Sequence, residues 1–222
     1  MVLLAALSFS IHSAAQSSPT SSSTSPKHIK KPAAAHAEPG LDAGTVANGF
    51  YRNKTFAFSC KVPTGWVLRT EEMNTRDEEA DSGKDSPHKA QRNTEAKRDG
   101  RVLLAAFSRP PDAHGEDVNS SILIAAEGVA AYPGLNEAVQ YFGPVNEVAK
   151  AQGFTADEDP YEIAVGAKNL VRADFHKDVG SRVMRQSTLV MLAKGYVVSI
   201  TLIGGTEDEV EELIDGLEFA GK

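Results

Sequence analysis

The chain of 222 residues contains a single cysteine, Cys60, so no disulfide can form within it. Cys60 lies in an alternating stretch and shares a face with Phe56 and Phe58, which predicts a small buried residue in a strand rather than a nucleophile. Basic residues are outnumbered by acidic ones, with 23 Lys and Arg and 30 Asp and Glu. Phosphate contacts depend on clustered positive charge, so we expect no nucleic-acid partner.

Apolar runs long enough to cross a bilayer are also missing. Val2–Ile11 has the length of the apolar region of a signal peptide. Small residues at Ser13–Ala15 favour cleavage before Gln16, so we expect residues 1–15 to be a signal peptide and the protein to be exported, either periplasmic or secreted. An organellar transit peptide is the alternative, since Gln16–Ala37 is rich in serine and lacks acids. The position of the apolar run ahead of this stretch favours bacterial export.

Local motifs of known enzyme classes are absent. The sequence has no G-x-S-x-G elbow, no H-E-x-x-H pair, no P-loop and no G-x-G-x-x-G turn. The glycines before Thr206 resemble a phosphate loop only superficially, because the acids of Glu207–Glu209 would repel an anion. We therefore expect a non-catalytic binding or accessory domain that contacts a protein or cell-envelope component. A carrier of a small molecule or lipid is an alternative, and it requires an apolar pocket between sheet and helix.

One polar loop has the residues of a metal site. Asp112, His114, Glu116 and Asp117 bring one imidazole and three carboxylates together around a glycine. Carboxylate oxygens with one histidine suit a divalent cation such as Zn²⁺ or Mn²⁺. A metal-dependent hydrolase that uses the Asp112–Asp117 loop is thus another functional alternative. The spacing matches no established metal motif, so a solvated polar loop is the competing interpretation, and we assign no cofactor.

Composition divides the chain into a tail and one domain. Residues 16–45 are rich in Ser, Pro and Ala and predict a disordered linker. The folded domain is predicted over residues 46–222. Within it, about half of residues 71–101 are charged, and Met73 is the one large apolar residue among them, which predicts a disordered loop.

The rest of the domain alternates between strand and helix signals. Strands are predicted at Tyr51–Val62, Trp66–Leu68, Val102–Phe107, Ser121–Ala126, Tyr161–Val165, Lys168–His176, Ser181–Ala193 and Tyr196–Ile203. A helical stripe from Leu135 to Gly153 is interrupted at Gly143–Pro144, and another helix follows a capping box at Thr206–Glu209. This order predicts an α+β fold in which an antiparallel β-sheet is flanked by helices.

Three segments resemble the PsbP-like family, named after an extrinsic protein of photosystem II. Phe56 to Trp66 looks like that family's strand followed by P-x-G-W, and Gly195 to Thr201 with the helix ending at Leu217–Phe219 looks like its last strand and closing helix. The third segment, Val165–Gly166 with the strand Arg172–Asp174, lies where the family has a paired central hairpin. The resemblance implies an α/β/α sandwich and the role of an accessory subunit or of an exported protein of unassigned function. The charged stretch 71–101 departs from the family pattern.

Overall fold

The structure is a computed structural model that describes residues 41–82, 100–113, 115 and 117–220. The predicted signal peptide at 1–15 and the linker up to residue 40 lie outside the described residues, so both stay predictions. The described elements follow in the order β1 (Thr45–Ala47), β2 (Phe50–Asn53), β3 (Phe58–Lys61), β4 (Val67–Leu68), α1 (Thr70–Ser82), β5 (Gly100–Phe107), β6 (Ser121–Gly128), α2 (Phe142–Ala151), β7 (Thr155–Ala156), β8 (Tyr161–Val165), β9 (Lys168–Val179), β10 (Arg182–Ala193), β11 (Tyr196–Gly204), α3 (Glu207–Asp215) and β12 (Leu217–Phe219). Two short 3₁₀ turns, Val129–Ala131 and Ala138–Tyr141, lie between β6 and α2.

The strands form two antiparallel sheets. The small sheet has the order β1-β2-β3-β12, and the large one has the order β4-β5-β6-β11-β10-β9-β7, with β8 also paired to β9. The small sheet and α3 cover one face of the large sheet, while α1 and α2 cover the other. An antiparallel sheet flanked by helices was predicted from the sequence, and this prediction of an α+β fold is confirmed.

Alternation along the strands supplies each face of the large sheet with its own core. The core under α3 and the small sheet includes Leu104, Ile124, Leu189, Ile200 and Leu202, all fully buried. The core under α2 is formed by Phe142, Val145 and residues of the opposite parity on the sheet, such as Phe175, Val190 and Val197. The strands β9, β10 and β11 therefore contribute to both cores, as expected where a sheet is covered on both faces.

The charged stretch begins as a helix rather than as a disordered loop. Residues 71–101 were predicted to be a loop, whereas α1 covers Thr70–Ser82 and β5 starts at Gly100, with residues 83–99 outside the described part. The Oγ1 atom of Thr70 accepts a bond from the amide of Ala105 at 3.0 Å, and Asn74 bonds both backbone groups of Val102 at 3.0 Å. The helix thus covers the outer edge of β5, which charge density alone does not reveal.

The fold also begins earlier than residue 46. Leu41 packs against the core, and the carboxylate of Asp42 accepts bonds from the amides of Gly44 and Lys54, each at 2.9 Å. The bond from Gly44 is the main cause that lowers the pKa of Asp42. Residues 41–45, which the sequence placed in the linker, are therefore part of the domain.

Three further boundaries differ from the predictions. The single strand expected at Tyr51–Val62 is a hairpin, in which β2 and β3 pair around a turn at residues 54–57. The helical stripe expected from Leu135 becomes a 3₁₀ turn, and α2 starts only at Phe142, because Pro144 is tolerated in the first turn of a helix and not in its interior. The segment Leu217–Phe219 was expected to end the closing helix. It forms β12 instead and pairs with β3, since its apolar residues alternate around an exposed glutamate.

Candidate functional site

The backbone ladder between β9 and β10 ends before either strand does. Its last pair is Val171 with Val190. Beyond this pair, β9 remains paired with β8 back to its first residue, and β10 remains paired with β11 up to its last one. The two strands therefore part, and we call the opening between Lys168–Leu170 and Met191–Ala193 the fork.

A cleft of about 620 Å³ opens at the fork. Its floor consists of Leu170, Val171, Val190, Met191 and Leu192. One wall is the segment Asn136–Val139, and the other is Pro160–Glu162. Val139 is 41 % exposed on the first wall and presents an apolar surface to the cleft. The volume lies within the range of about 300–1,000 Å³ that is typical of ligand sites.

The Asn136–Val139 wall is anchored to the sheet through Glu127, a carboxylate that is only 3 % exposed. Tyr141 donates its hydroxyl to Oε1 of Glu127 at 2.8 Å, and Tyr132 donates to Oε2. The two rings pack edge to face with centroids 5.2 Å apart. Burial, together with the negative charge of Glu127, raises the pKa of both tyrosines. Because the two tyrosines flank the wall in sequence, their bonds to one carboxylate hold both of its ends.

The Pro160–Glu162 wall is anchored through Asp174 of β9. Tyr161 donates its hydroxyl to Oδ2 of Asp174 at 2.7 Å, and burial followed by this bond raises the pKa of Tyr161. The Oδ1 atom accepts from Nε of Arg172 at 2.9 Å and from the hydroxyl of Ser187. Arg172 also reaches Oε1 of Glu211 on α3 at 2.5 Å. The network thus joins β8, β9, β10 and α3 around one side of the cleft.

Three side chains with reactive chemistry are engaged in the fold. Cys60 is fully buried, as predicted, and burial raises the pKa of its thiol to about 12. Ser187 is fully buried and donates to Asp174, whereas His176 contacts Asp157 through Nδ1. Serine and histidine therefore bind different carboxylates and do not form a nucleophile and base pair with each other.

The predicted metal loop is only partly described. Asp112 and Asp117 are exposed, while His114 and Glu116 lie outside the described residues. The carboxylate of Asp117 contacts Arg182 of β10, which would compete with a cation for that oxygen. Among the residues that the structure describes, no group of three or more His, Cys, Asp or Glu side chains could hold a metal ion. The metal site therefore stays a prediction.

A smaller cleft of about 310 Å³ lies between β1 and the start of α1. Arg69 and Arg101 line it together with Glu71 and Glu72, and Arg69 pairs with Glu72 at 2.6 Å. Its charges are thus balanced within the chain.

In the described part of the chain, none of the helices is long and apolar enough to cross a membrane.

The sequence predicted the strands of the fork but not the residues that anchor the walls of the cleft. Glu127 and its two tyrosines were missed, because a glutamate directly after the apolar run Ser121–Ala126 looks the same in sequence whether it is exposed or buried. Val165–Gly166 and Arg172–Asp174 were placed in a central hairpin, and β8 and β9 pair as a hairpin around the turn after Val165. The ion pairs of Arg172 depend on tertiary contacts with Glu211 and could not be deduced from spacing.

No protein-family model matches the chain, and no curated protein matches it in sequence. Solved structures of similar fold include PsbP from Synechocystis sp. PCC 6803, with a TM-score of 0.42 and 14 % identity over 84 % of this chain and 99 % of that one. LpqN, which is involved in cell envelope biogenesis of Mycobacterium tuberculosis, matches with a TM-score of 0.33 and 14 % identity over 72 % of this chain and 76 % of its own.

A structure from Bacteroides thetaiotaomicron matches with a TM-score of 0.36 and 12 % identity over 75 % of this chain, which spans 46 % of that protein's length. These likenesses concern the arrangement of strands and helices. They include PsbP, the protein after which the family predicted from the sequence is named.

Proposed function

We propose that this domain is a non-catalytic binding or accessory module that contacts a protein partner of the cell envelope through the cleft at the fork. The observation that carries the proposal is the anchoring of both cleft walls by carboxylates, the buried Glu127 on one side and the partly buried Asp174 on the other. A preformed site binds with a smaller loss of conformational entropy than one that must be ordered first. Among the described residues, Cys60 is buried in the core, and Ser187 and His176 each contact a carboxylate, which favours binding over catalysis.

The rim of the cleft favours a polypeptide over the lipid or small molecule of the carrier alternative. Glu137 and Glu162 lie on its walls and Lys168 on the fork, all three exposed. A lipid tail would leave these charges against apolar groups, which is unfavourable. A polypeptide segment can match both the charges and the apolar surface of Val139.

We also propose that the protein is exported. The apolar segment Val2–Ile11 and the small residues at Ser13–Ala15 support a signal peptide, and the Ser- and Pro-rich stretch after it supports a tether. As a flexible coil of about twenty-five residues, such a tether would let the domain sample roughly 30 Å around its start. That reach suits a module that searches for a partner in the envelope.

Photo-crosslinking in the native cells tests the proposal. A photoreactive phenylalanine analogue replaces Val139 at the cleft or, as the control, Val179 in the β9–β10 hairpin, which is 43 % exposed. We expect a discrete protein adduct of defined mass from position 139 and not from position 179. Equal adducts from both positions, or none from position 139, would contradict a partner site at the cleft.

A further inference from the structure

The two strand edges of the fork carry backbone groups that point toward each other. Lys194 and Gly195, with φ values of 55° and 84°, form the two-residue turn between β10 and β11. In such a hairpin the two residues that flank the turn form backbone hydrogen bonds with each other, so the N–H and C=O of Ala193 point toward β11. Its neighbour Leu192 is therefore directed the other way, and its N–H and C=O point into the fork.

The turn between β8 and β9 likewise fixes which way the backbone groups of β9 point. Val165 and Lys168 pair across the two-residue turn in which Gly166 has a φ of 58°, so Lys168 is directed to β8. The N–H and C=O of Asn169 are then directed toward β10. On the same pattern, the backbone groups of Val171 and Val190 point at each other, which agrees with their pairing. In the part of the chain that the structure describes, neither Leu192 nor Asn169 has a ladder partner on its fork side.

We propose that the fork binds an extended peptide segment, which adds as a short strand along β10 and pairs with the backbone of Leu192. This inference deepens the proposed function and rests on it. A peptide strand carries the donor and acceptor that match one N–H and one C=O on an open strand edge, and strand addition of this kind is a recurring mode of recognition. The open stretch of β10, Met191–Ala193, is about 10 Å long, which fits about three extended residues.

Side chains around the fork define which sequence would fit. Val139 and Leu192 lie on the α2 side of the sheet, and Glu162 shares that side because it is paired with Val171. Glu137 lies on the same wall as Val139. Residues i and i+2 of a strand point to one face. We therefore expect a peptide in which an apolar residue and a Lys or Arg stand two positions apart.

The test begins with a library of random twelve-residue peptides displayed on phage and selected on the full chain. We expect selected peptides to carry the apolar and basic pair. They should bind the Val179→Arg control as they bind the wild type, and they should bind Val139→Arg about tenfold more weakly, because the new cation repels the basic residue and covers the apolar wall. Both substituted valines are exposed, so folding is preserved in each variant. A library that yields no peptide sensitive to Val139→Arg overturns the inference.

N-methylation of the selected peptide then tests strand pairing without altering the protein. Methylating the one amide that pairs with the Leu192 carbonyl should weaken binding about tenfold, while methylation of either neighbouring amide should change it little. An effect at no position, or an equal effect at every position, overturns strand addition. The crosslinking at Val139 is a separate measurement, so the proposed function can be supported or contradicted independently of the N-methylation result.

Discussion

The two walls of the cleft are held by carboxylates in different electrostatic surroundings. Asp174 bonds a tyrosine and a serine and is also paired with Arg172, whose side chain is 12 % exposed. Glu127 is more deeply buried and, within the described residues, accepts bonds from the neutral hydroxyls of Tyr132 and Tyr141. One wall thus depends on charge compensation and the other on hydrogen bonds alone. The two walls can therefore be disrupted by two chemically distinct substitutions.

The largest loss of stability is expected from Arg172→Met. Without the guanidinium, Asp174 and Glu211 lose their cation, and removing one partner of a largely buried pair costs about 3 kcal/mol. The matched control is Arg69→Met, because Arg69 pairs with Glu72 where the side chains are 29 % and 54 % exposed, and its expected cost is below about 1 kcal/mol. Urea unfolding measures both free energies. Equal losses would show that the Asp174 network does not depend on its charge.

A smaller loss is expected from Tyr141→Phe. The change removes the 2.8 Å bond to a buried carboxylate oxygen, and leaving that oxygen without its donor costs about 2 kcal/mol. Tyr132→Phe should cost less, since Tyr132 is only half-buried and water can replace its hydroxyl. The free energy of unfolding of both variants decides the order. A larger loss in Tyr132→Phe would reverse the roles assigned to the two tyrosines.

Stability at alkaline pH depends on the buried tyrosines. Burial raises the pKa of Tyr132, Tyr141 and Tyr161, and it raises that of Tyr51 to about 12. Their contribution is fully present below the unfolded tyrosine pKa of about 10 and is lost as pH rises beyond it, because the unfolded chain then releases protons that the folded chain keeps.

For Tyr141 the loss is about 1.4 kcal/mol per pH unit above pH of about 10. Urea unfolding between neutral pH and this range should show a falling free energy, with a shallower fall in Tyr141→Phe. A stability that is independent of pH in this range, or an unchanged slope in the variant, contradicts the assignment of buried neutral hydroxyls to Glu127.

The smallest effect is expected from metal ions. The polar loop with Asp112 and Asp117 is exposed, unlike either carboxylate network. A binding module that works through the fork predicts no change in the midpoint of thermal unfolding with Zn²⁺ or Mn²⁺. A stabilisation that disappears in both Asp112→Ala and His114→Ala would instead support the metal-dependent alternative.

Local patterns predicted much of the fold because they depend on neighbours in sequence. Thr206 caps α3 by accepting from the amide of Glu209 at 3.1 Å, and Glu209 accepts from the amide of Gly205 at 2.7 Å, close to the predicted capping box. The alternation around Cys60 placed it on the buried face. The helix α1 was missed because its charged sequence resembles a solvated loop, and its anchors, Thr70 and Asn74, act on a strand that lies about thirty residues away in sequence.

The cleft was beyond such patterns for a physical reason. The lengths of β9 and β10 can be read from the sequence, but the point at which their pairing stops depends on the twist of the sheet and on what packs at its edge. The apolar residues around Val171 and Val190 look the same whether the ladder continues or ends. The partners of Glu127 are likewise set by the return of the chain at Tyr141.

Amide hydrogen exchange at Leu192 tests the central claim of an open fork most directly. Leu192 and Val190 are two residues apart on the same edge of β10, and Val190 is paired with Val171. Heteronuclear NMR should show fast exchange of the Leu192 amide and strong protection of the Val190 amide, with Leu192 becoming protected when a selected peptide is bound. A Leu192 amide in the free protein that is protected as strongly as that of Val190 would show that the fork is closed.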